Sequence, residues 1–290
     1  MNEATVTMPD GRLLGFAEYG DPSGVPIVGC HGVPGGRNLY FDEEVLLTHG
    51  ARLIAVERAG FGLSDPAPGH SLLDAAGDVV SLADSLGLER FAVLGLSLGA
   101  PTAVACGYKD PDRVAVVGLA CGVGPVFDQP RFDQVLPPEW QALLPVARED
   151  PATALELLRA VAAPVAELCA TDPGSQFETM LETASPADRA EMEAARQFIV
   201  ANLLSTYLRG PDTFAEEVMA SVGPWGFSPS DVVVPCCLWH GDQDDLAPID
   251  VARFVSAELP DSRLTVYPGE GHFLSSTHHG SWIADLTRPW

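Results

Sequence analysis

Lysine is almost missing from this chain. Lys109 is the single one among 16 basic residues, which face 40 acidic ones, so 290 residues carry a formal net charge of −24. A surface of that sign repels phosphate backbones and anionic lipid, which argues against nucleic acid and membranes as partners. The acids are scattered, without the long like-charge run of a disordered tail. Cysteine is sparse and unpatterned: Cys30, Cys106, Cys121, Cys169, Cys236 and Cys237 include no C-x-x-C spacing. That argues against structural zinc or a disulfide framework, and fits reduced core residues of a cytoplasmic protein. A secretory leader is not apparent, because MNEATVTMPDGRLLG has neither a basic start nor an apolar core. The eighteen uncharged residues 91–108 reach the length of a membrane span, yet Ser97, Pro101 and three glycines inside them point to a buried strand and helix instead. Repeats and low-complexity segments are absent.

The rest of the chain is organised around residues 91–107, FAVLGLSLGAPTAVACG. An apolar strand over 91–94, the turn Gly95-Leu96-Ser97-Leu98-Gly99 and a small-residue helix over 100–107 place G-x-S-x-G between strand and helix. This is the pattern of a nucleophile elbow, in which flanking glycines let strand and helix approach and the serine hydroxyl points out of the sheet. Five residues match by chance too readily to stand alone. The flanking chain has to decide.

Residues 5–8 and 12–19 around Pro9-Asp10-Gly11 read as a hairpin. Apolar runs at 25–30, 52–56, 114–120, 232–239 and 263–267 supply further strands, eight with the elbow strand. Ser71-Leu72-Leu73-Asp74 has the form of a capping box, and Leu72, Ala76, Val79, Ala83 and Leu86 follow on one helical face. Helices are also expected over 248–259 and 273–286. Strands alternating with helices imply a mostly parallel eight-stranded sheet with helices on both faces, an α/β class. The alternation stops near Gly124. Residues 126–228 contain no convincing strand, and helices are expected over 138–147, 152–170, 177–181, 186–208 and 212–221. The domain division is therefore a core of 1–125 and 229–290 with an inserted helical lid at 126–228.

A serine hydroxyl is a weak nucleophile at neutral pH and needs an adjacent base held by a carboxylate. Gly269-Glu270-Gly271-His272-Phe273 follows the last strand and offers His272; Gly241-Asp242-Gln243-Asp244-Asp245-Leu246-Ala247-Pro248 follows the strand before it and offers three aspartates. Serine, aspartate and histidine in that chain order belong to one hydrolase architecture, and to neither the chymotrypsin nor the subtilisin order.

With these residues the chain resembles the α/β-hydrolase-fold serine hydrolases over nearly its full length outside the lid. The resemblance is carried by HGVPGG (31–36), ERAGFGLSD (57–65), GLSLG (95–99), GDQDDLAP (241–248) and GEGHF (269–273). It implies Asp244 as the acid, with Asp242 and Asp245 as competitors, and an oxyanion hole made by the backbone N–H groups of Val33 and Leu98. Glu57 stands where similar members have aspartate and reads as a brace of its loop. His31 reads as a brace of the oxyanion loop. Valine follows the His31-Gly32 pair, so the three-glycine loop of lipases is absent. No aromatic residue flanks Ser97, which sets the chain apart from proline-iminopeptidase-like and perhydrolase-like members.

His240 ends an apolar strand and reads as a satisfied core histidine. His278 and His279 are adjacent and share no helix face, against metal binding. Trp140, Trp225, Phe132 and Phe177 read chiefly as packing. The expected function is hydrolysis of a carboxylic ester, or a related acyl bond, of a largely apolar small molecule through an acyl-enzyme on Ser97. It requires no metal or organic cofactor. The other readings are a hydrolase-like binding protein, or a biosynthetic cyclase, lyase or acyltransferase using the same pocket. Serine in place of aspartate argues against haloalkane dehalogenases and epoxide hydrolases.

Overall fold

A computed structural model describes residues 2–288. In chain order it contains β1 (Asn2–Thr7), β2 (Leu13–Gly20), β3 (Val25–Cys30), α1 (Glu43–Thr48), β4 (Ala51–Val56), α2 (Leu72–Ser85), β5 (Phe91–Leu96), α3 (Ala100–Lys109) and β6 (Val114–Ala120). Six helices follow: α4 (Pro138–Glu149), α5 (Pro151–Thr171), α6 (Pro173–Thr183), α7 (Arg189–Ala194), α8 (Arg196–Tyr207) and α9 (Asp212–Val222). The chain ends with β7 (Cys236–Gly241), α10 (Ile249–Glu258), β8 (Ser262–Tyr267) and α11 (His279–Leu286).

The eight strands form one sheet in the order β1-β2-β4-β3-β5-β6-β7-β8. Only β2 runs against its neighbours, pairing antiparallel with β1 and β4; the other pairs are parallel, as the alternation of elements requires. Parallel strands covered on both faces are apolar throughout, and every residue of β6 is buried. Period two then divides the core. Val28, Ile54, Val56, Val93 and Val117 face α2 and α3, while Ile27, Leu53, Ala55, Leu94 and Val116 face the side of α11.

Helix α2 begins with the expected capping box, Ser71 Oγ accepting from Asp74 N and Asp74 Oδ2 accepting from Ser71 N. Four other expectations shift for identifiable reasons. The strand expected over 232–239 starts only at Cys236, because Ser228 and Asp231 cap a 3-10 turn at Pro229–Asp231 and Pro235 has no N–H for a ladder. The helix expected over 273–286 starts at His279, because Phe273 N, Ser275 N and Ser276 N donate to the carboxylates of Asp188, Glu270 and Glu191. The helix expected over 186–208 is two, meeting at Ala195. Helix α1 was not anticipated; it is six residues long, capped by Asp42, and buries only Leu46, too little for a periodic signal.

Among the described residues, 126–228 holds no strand. Its helices build a buried cluster of their own around Phe177, Met192, Ile199 and Leu203, and a second cluster joins Val218 and Val222 of α9 to Leu98. Among the described residues no helix is long and apolar enough to cross a membrane.

Two glycines differ sharply in the room around them, which predicts opposite outcomes for an added methyl group. A Cβ on Gly99 would lie 2.2 Å from Cys30 O and 2.5 Å from His31 O, so Gly99→Ala should lower stability by about 1–3 kcal/mol. On Gly77, inside α2, a Cβ meets only the end of the Lys109 side chain at 3.5 Å, so Gly77→Ala should gain about 0.5–1 kcal/mol. Denaturant midpoints of the two variants against wild type check both signs.

Candidate active site

The carboxyl ends of β3 and β5 lie side by side at the point where the chain leaves one half of the sheet for the other, since β3 is followed by β4 on one side and β5 by β6 on the other. Open α/β sheets form a crevice there. Ser97 closes β5 with φ at +51°, a left-handed conformation that a non-glycine residue adopts at a cost of about 1–3 kcal/mol. Its neighbours make room for it. A Cβ on Gly95 would sit 2.6 Å from Ala100 Cα, and one on Gly32 would sit 3.1 Å from Ser97 Cβ.

His272 arrives from the loop after β8. Its Nε2 lies 2.9 Å from Ser97 Oγ and its Nδ1 2.9 Å from Asp244 Oδ2. Asp244 sits in the loop after β7, where Oδ1 accepts from Leu246 N at 3.0 Å and Ala247 N at 2.8 Å. Of the two competing aspartates, Asp242 turns to the loop and accepts from Gly269 N at 2.7 Å, and Asp245 is exposed at the cavity rim. The structure thus brings Ser97, His272 and Asp244 into one hydrogen-bonded line. Val33 and Leu98 line the same cavity as Ser97.

Charge is arranged asymmetrically around His272 and His31. At His272 burial works against the proton, but Asp244, then Asp188 and Asp245, outweigh it and hold the pKa above the ordinary histidine value. Burial likewise pushes the Asp244 carboxyl up, and His272 and His240 outweigh it, leaving the acid well below the usual carboxylate range. His31 goes the other way: burial, reinforced by Arg58, holds it well below the ordinary value. Its Nδ1 lies 2.7 Å from Gly32 O and its Nε2 accepts from Arg58 N at 3.2 Å, so a neutral ring spans the loop after β3.

Two side chains, His240 and Asp188, contribute more than their sequence context suggested. His240 is buried, as expected of a core histidine, yet its Nε2 lies 3.2 Å from Asp244 Oδ2 as well as 2.6 Å from Ala247 O. Asp188, preceding α7, is 2% exposed and accepts from Phe273 N and Ser185 Oγ, both at 2.7 Å. Its only sequence signal, Ser185-x-x-Asp188, has the form of a helix cap, but in the structure Ser185 Oγ accepts from Asp188 N at 3.2 Å within the turn that precedes α7. Glu57 is fully buried and accepts from Leu63 N, Arg37 and Ser205, bracing its loop.

A cavity of about 510 Å³ opens over Ser97, with Trp140, Met192, Phe198, Phe214 and Val218 among its apolar walls. Trp225, Phe132 and Phe177 are packed inside hydrophobic clusters. Among the described residues lining the cavity, Asp188, Glu191 and Asp245 are the acids, and no lysine or arginine appears. Cys121 Sγ, Asp244 and His272 could offer three metal-ligand atoms within 4.8 Å of one another. His272 and Asp244 already bond to each other there, and burial pushes the Cys121 thiol well up, so these donors do not make a cation site.

A family profile described as the alpha/beta hydrolase fold matches residues 25–278. A non-heme chloroperoxidase of Streptomyces lividans is 29% identical over 281 residues, covering 94% of each chain. A 2-hydroxy-6-oxononadienedioate/2-hydroxy-6-oxononatrienedioate hydrolase of Cupriavidus pinatubonensis is 25% identical over 251 residues, covering 85% of this chain and 78% of the relative. Among solved structures, an esterase from Exiguobacterium antarcticum superposes with a TM-score of 0.69 at 20% identity, covering 99% of this chain and 98% of its own.

The carboxylates around His272 generate a prediction that needs no substrate. In Asp188→Asn the amide oxygen can still accept from Phe273 N while the charge is gone, so His272, followed by NMR, should titrate at lower pH than in wild type. The sign carries over to stability. A raised His272 pKa stabilises the fold below the unfolded value near pH 6.5, and that contribution is lost as pH rises through the folded pKa; in Asp188→Asn part of it should be missing at low pH.

Proposed function

Because the chain belongs to the α/β-hydrolase fold family, we propose that it is a serine hydrolase that cleaves a carboxylic ester of a largely apolar small molecule through an acyl-enzyme on Ser97. The observation that carries this reading is the line Ser97 Oγ, His272 Nε2, His272 Nδ1, Asp244 Oδ2, with 2.9 Å at both hydrogen bonds, opening into an apolar cavity of about 510 Å³.

In this mechanism Ser97 Oγ attacks the ester carbonyl as His272 Nε2 takes its proton, and Asp244 holds Nδ1–H and stabilises the imidazolium as it forms. The developing oxyanion is received by the N–H groups of Val33 and Leu98. Collapse breaks the bond to the alcohol, which leaves with the proton from Nε2. Water then attacks the acyl carbonyl, giving its proton to the same nitrogen, and Ser97 is restored as the carboxylic acid departs. The helices at 126–228 act as a cap on the core of 1–125 and 229–290, excluding water and supplying apolar walls for the acyl or alcohol group.

Charge narrows the substrate class. With Asp188, Glu191 and Asp245 lining the cavity and no arginine or lysine among its described walls, a second carboxylate on the substrate would be repelled, and so is the acid product once it ionises. The dioate in the name of the Cupriavidus relative is therefore a poor fit to this cavity. No aromatic residue flanks Ser97, which sets the chain apart from perhydrolase-like members, so water and not peroxide is taken as the acyl acceptor despite the name of the Streptomyces relative. Soluble expression in the cytoplasm is consistent with six unpaired cysteines, five of them buried.

Intact mass after fluorophosphonate treatment should show one adduct on wild type and none on Ser97→Ala. Turnover of p-nitrophenyl esters should fall at least about 10³-fold in that variant. A carboxylate-bearing ester should lose at least about tenfold in kcat/KM against its neutral isostere, about 1.4 kcal/mol. Absence of the adduct on folded wild-type protein would overturn the hydrolase mechanism; peracid formation outrunning hydrolysis in hydrogen peroxide would overturn the choice of acceptor.

A further inference from the structure

We propose that the buried ion pair between Arg58 and Glu217 is a positioning device that sets the spacing of the two oxyanion-binding segments and links them to helix α9. The inference rests on the serine-hydrolase reading above. Arg58 follows β4 and is 2% exposed; Glu217, on α9, is also 2% exposed, and their side chains meet at 2.5 Å. The guanidinium does more than meet its counter-charge. Nη2 donates to His31 O at 2.6 Å, and Nη1 lies 3.1 Å from Leu98 O. Ser221, one turn after Glu217, places its hydroxyl 2.7 Å from Glu217 Oε1 and 3.1 Å from the same Leu98 O. One planar cation thus grips a carbonyl two residues before Val33 and the carbonyl of Leu98 itself. Because a guanidinium is rigid, it fixes the distance between the two segments whose N–H groups must point at one oxygen.

The energetics agree with a geometric role. A fully buried pair loses hydration that its mutual attraction repays only when the remaining polar atoms are satisfied. Arg58 Nε and Glu217 Oε2 have no hydrogen-bond partner among the described residues. Apolar side chains of similar volume would stabilise this position at least as well, but would release His31 O from the guanidinium and leave Leu98 O, of these two side-chain donors, with Ser221 alone. Helix α9 also presents Val218 to the cavity, so the helix that shapes the apolar pocket carries the carboxylate that anchors the guanidinium.

The test uses full-length protein with active sites counted by fluorophosphonate labelling of Ser97. In Arg58→Met/Glu217→Leu, kcat per labelled site should fall about 100-fold with KM within about twofold, while the thermal midpoint stays near wild type. The inhibition constant of a trifluoromethyl ketone, whose Ser97 adduct puts an oxyanion in the hole, should weaken in parallel with kcat/KM. Arg58→Lys keeps the charge and loses the fork, and should drop kcat at least about tenfold. Glu217→Gln, which keeps an acceptor for Arg58 and Ser221, should retain more kcat than Glu217→Leu. Should the double variant fail to fold, these single variants decide. Unchanged kcat per labelled site, or a fall in activity that tracks only the number of labelled sites, would overturn the positioning role. Failure of wild type to label would instead overturn the hydrolase reading beneath it.

Discussion

Two neighbouring parallel strands, β3 and β5, end side by side, and the loops that follow them approach more closely than side chains would permit. Gly99 packs against the carbonyls of Cys30 and His31, Gly32 lies against Ser97, and Gly95 lies against the start of α3. These contacts hold Ser97 in its left-handed conformation, which no local preference of serine would choose. The same two loops bring Val33 and Leu98 into the cavity that Ser97 lines, and His272 reaches the serine hydroxyl from the loop after β8. A strained residue persists only where its surroundings over-determine it, and here both neighbouring segments do so.

Electrostatics then separates the imidazoles. His272 is ringed by Asp244, Asp188 and Asp245 and binds a proton more readily than an ordinary histidine; His31, beside Arg58, stays neutral. A third, His279, packs against Phe41 and Trp282, and burial, with His278 adding to it, brings it down to about 4. Environments that push chemically identical groups apart assign them different work. The group able to gain a proton is the one in contact with Ser97, and the one that stays neutral holds the loop after β3. The acidity of the whole chain has its local counterpart in a cavity whose described walls carry carboxylates and no cation.

Legibility in the sequence followed the range of the interactions. The capping box at Ser71 and Asp74, the all-buried β6 and the tight turn at Ser97 are encoded within a few residues, and periodicity or motif revealed them. The start of α11 was misplaced because three backbone N–H groups before it are taken by Asp188, Glu270 and Glu191, and two of these carboxylates come from more than eighty residues away. The same separation hid Glu217, which on its own helix is one acid among several.

The order serine, aspartate, histidine, the parallel sheet and the helical stretch before β7 were already written in local patterns, since strand period, turn chemistry and caps act over short spans of chain. Folding chose among the three aspartates: Asp242 turned to Gly269 N, Asp245 stayed at the rim, and Asp244 met both His272 and His240. It also brought Asp188 under the His272 loop and Arg58 against Glu217, pairs 84 and 159 residues apart. A buried charge finds its partner through the packing of distant elements, and no local pattern records that partner in advance.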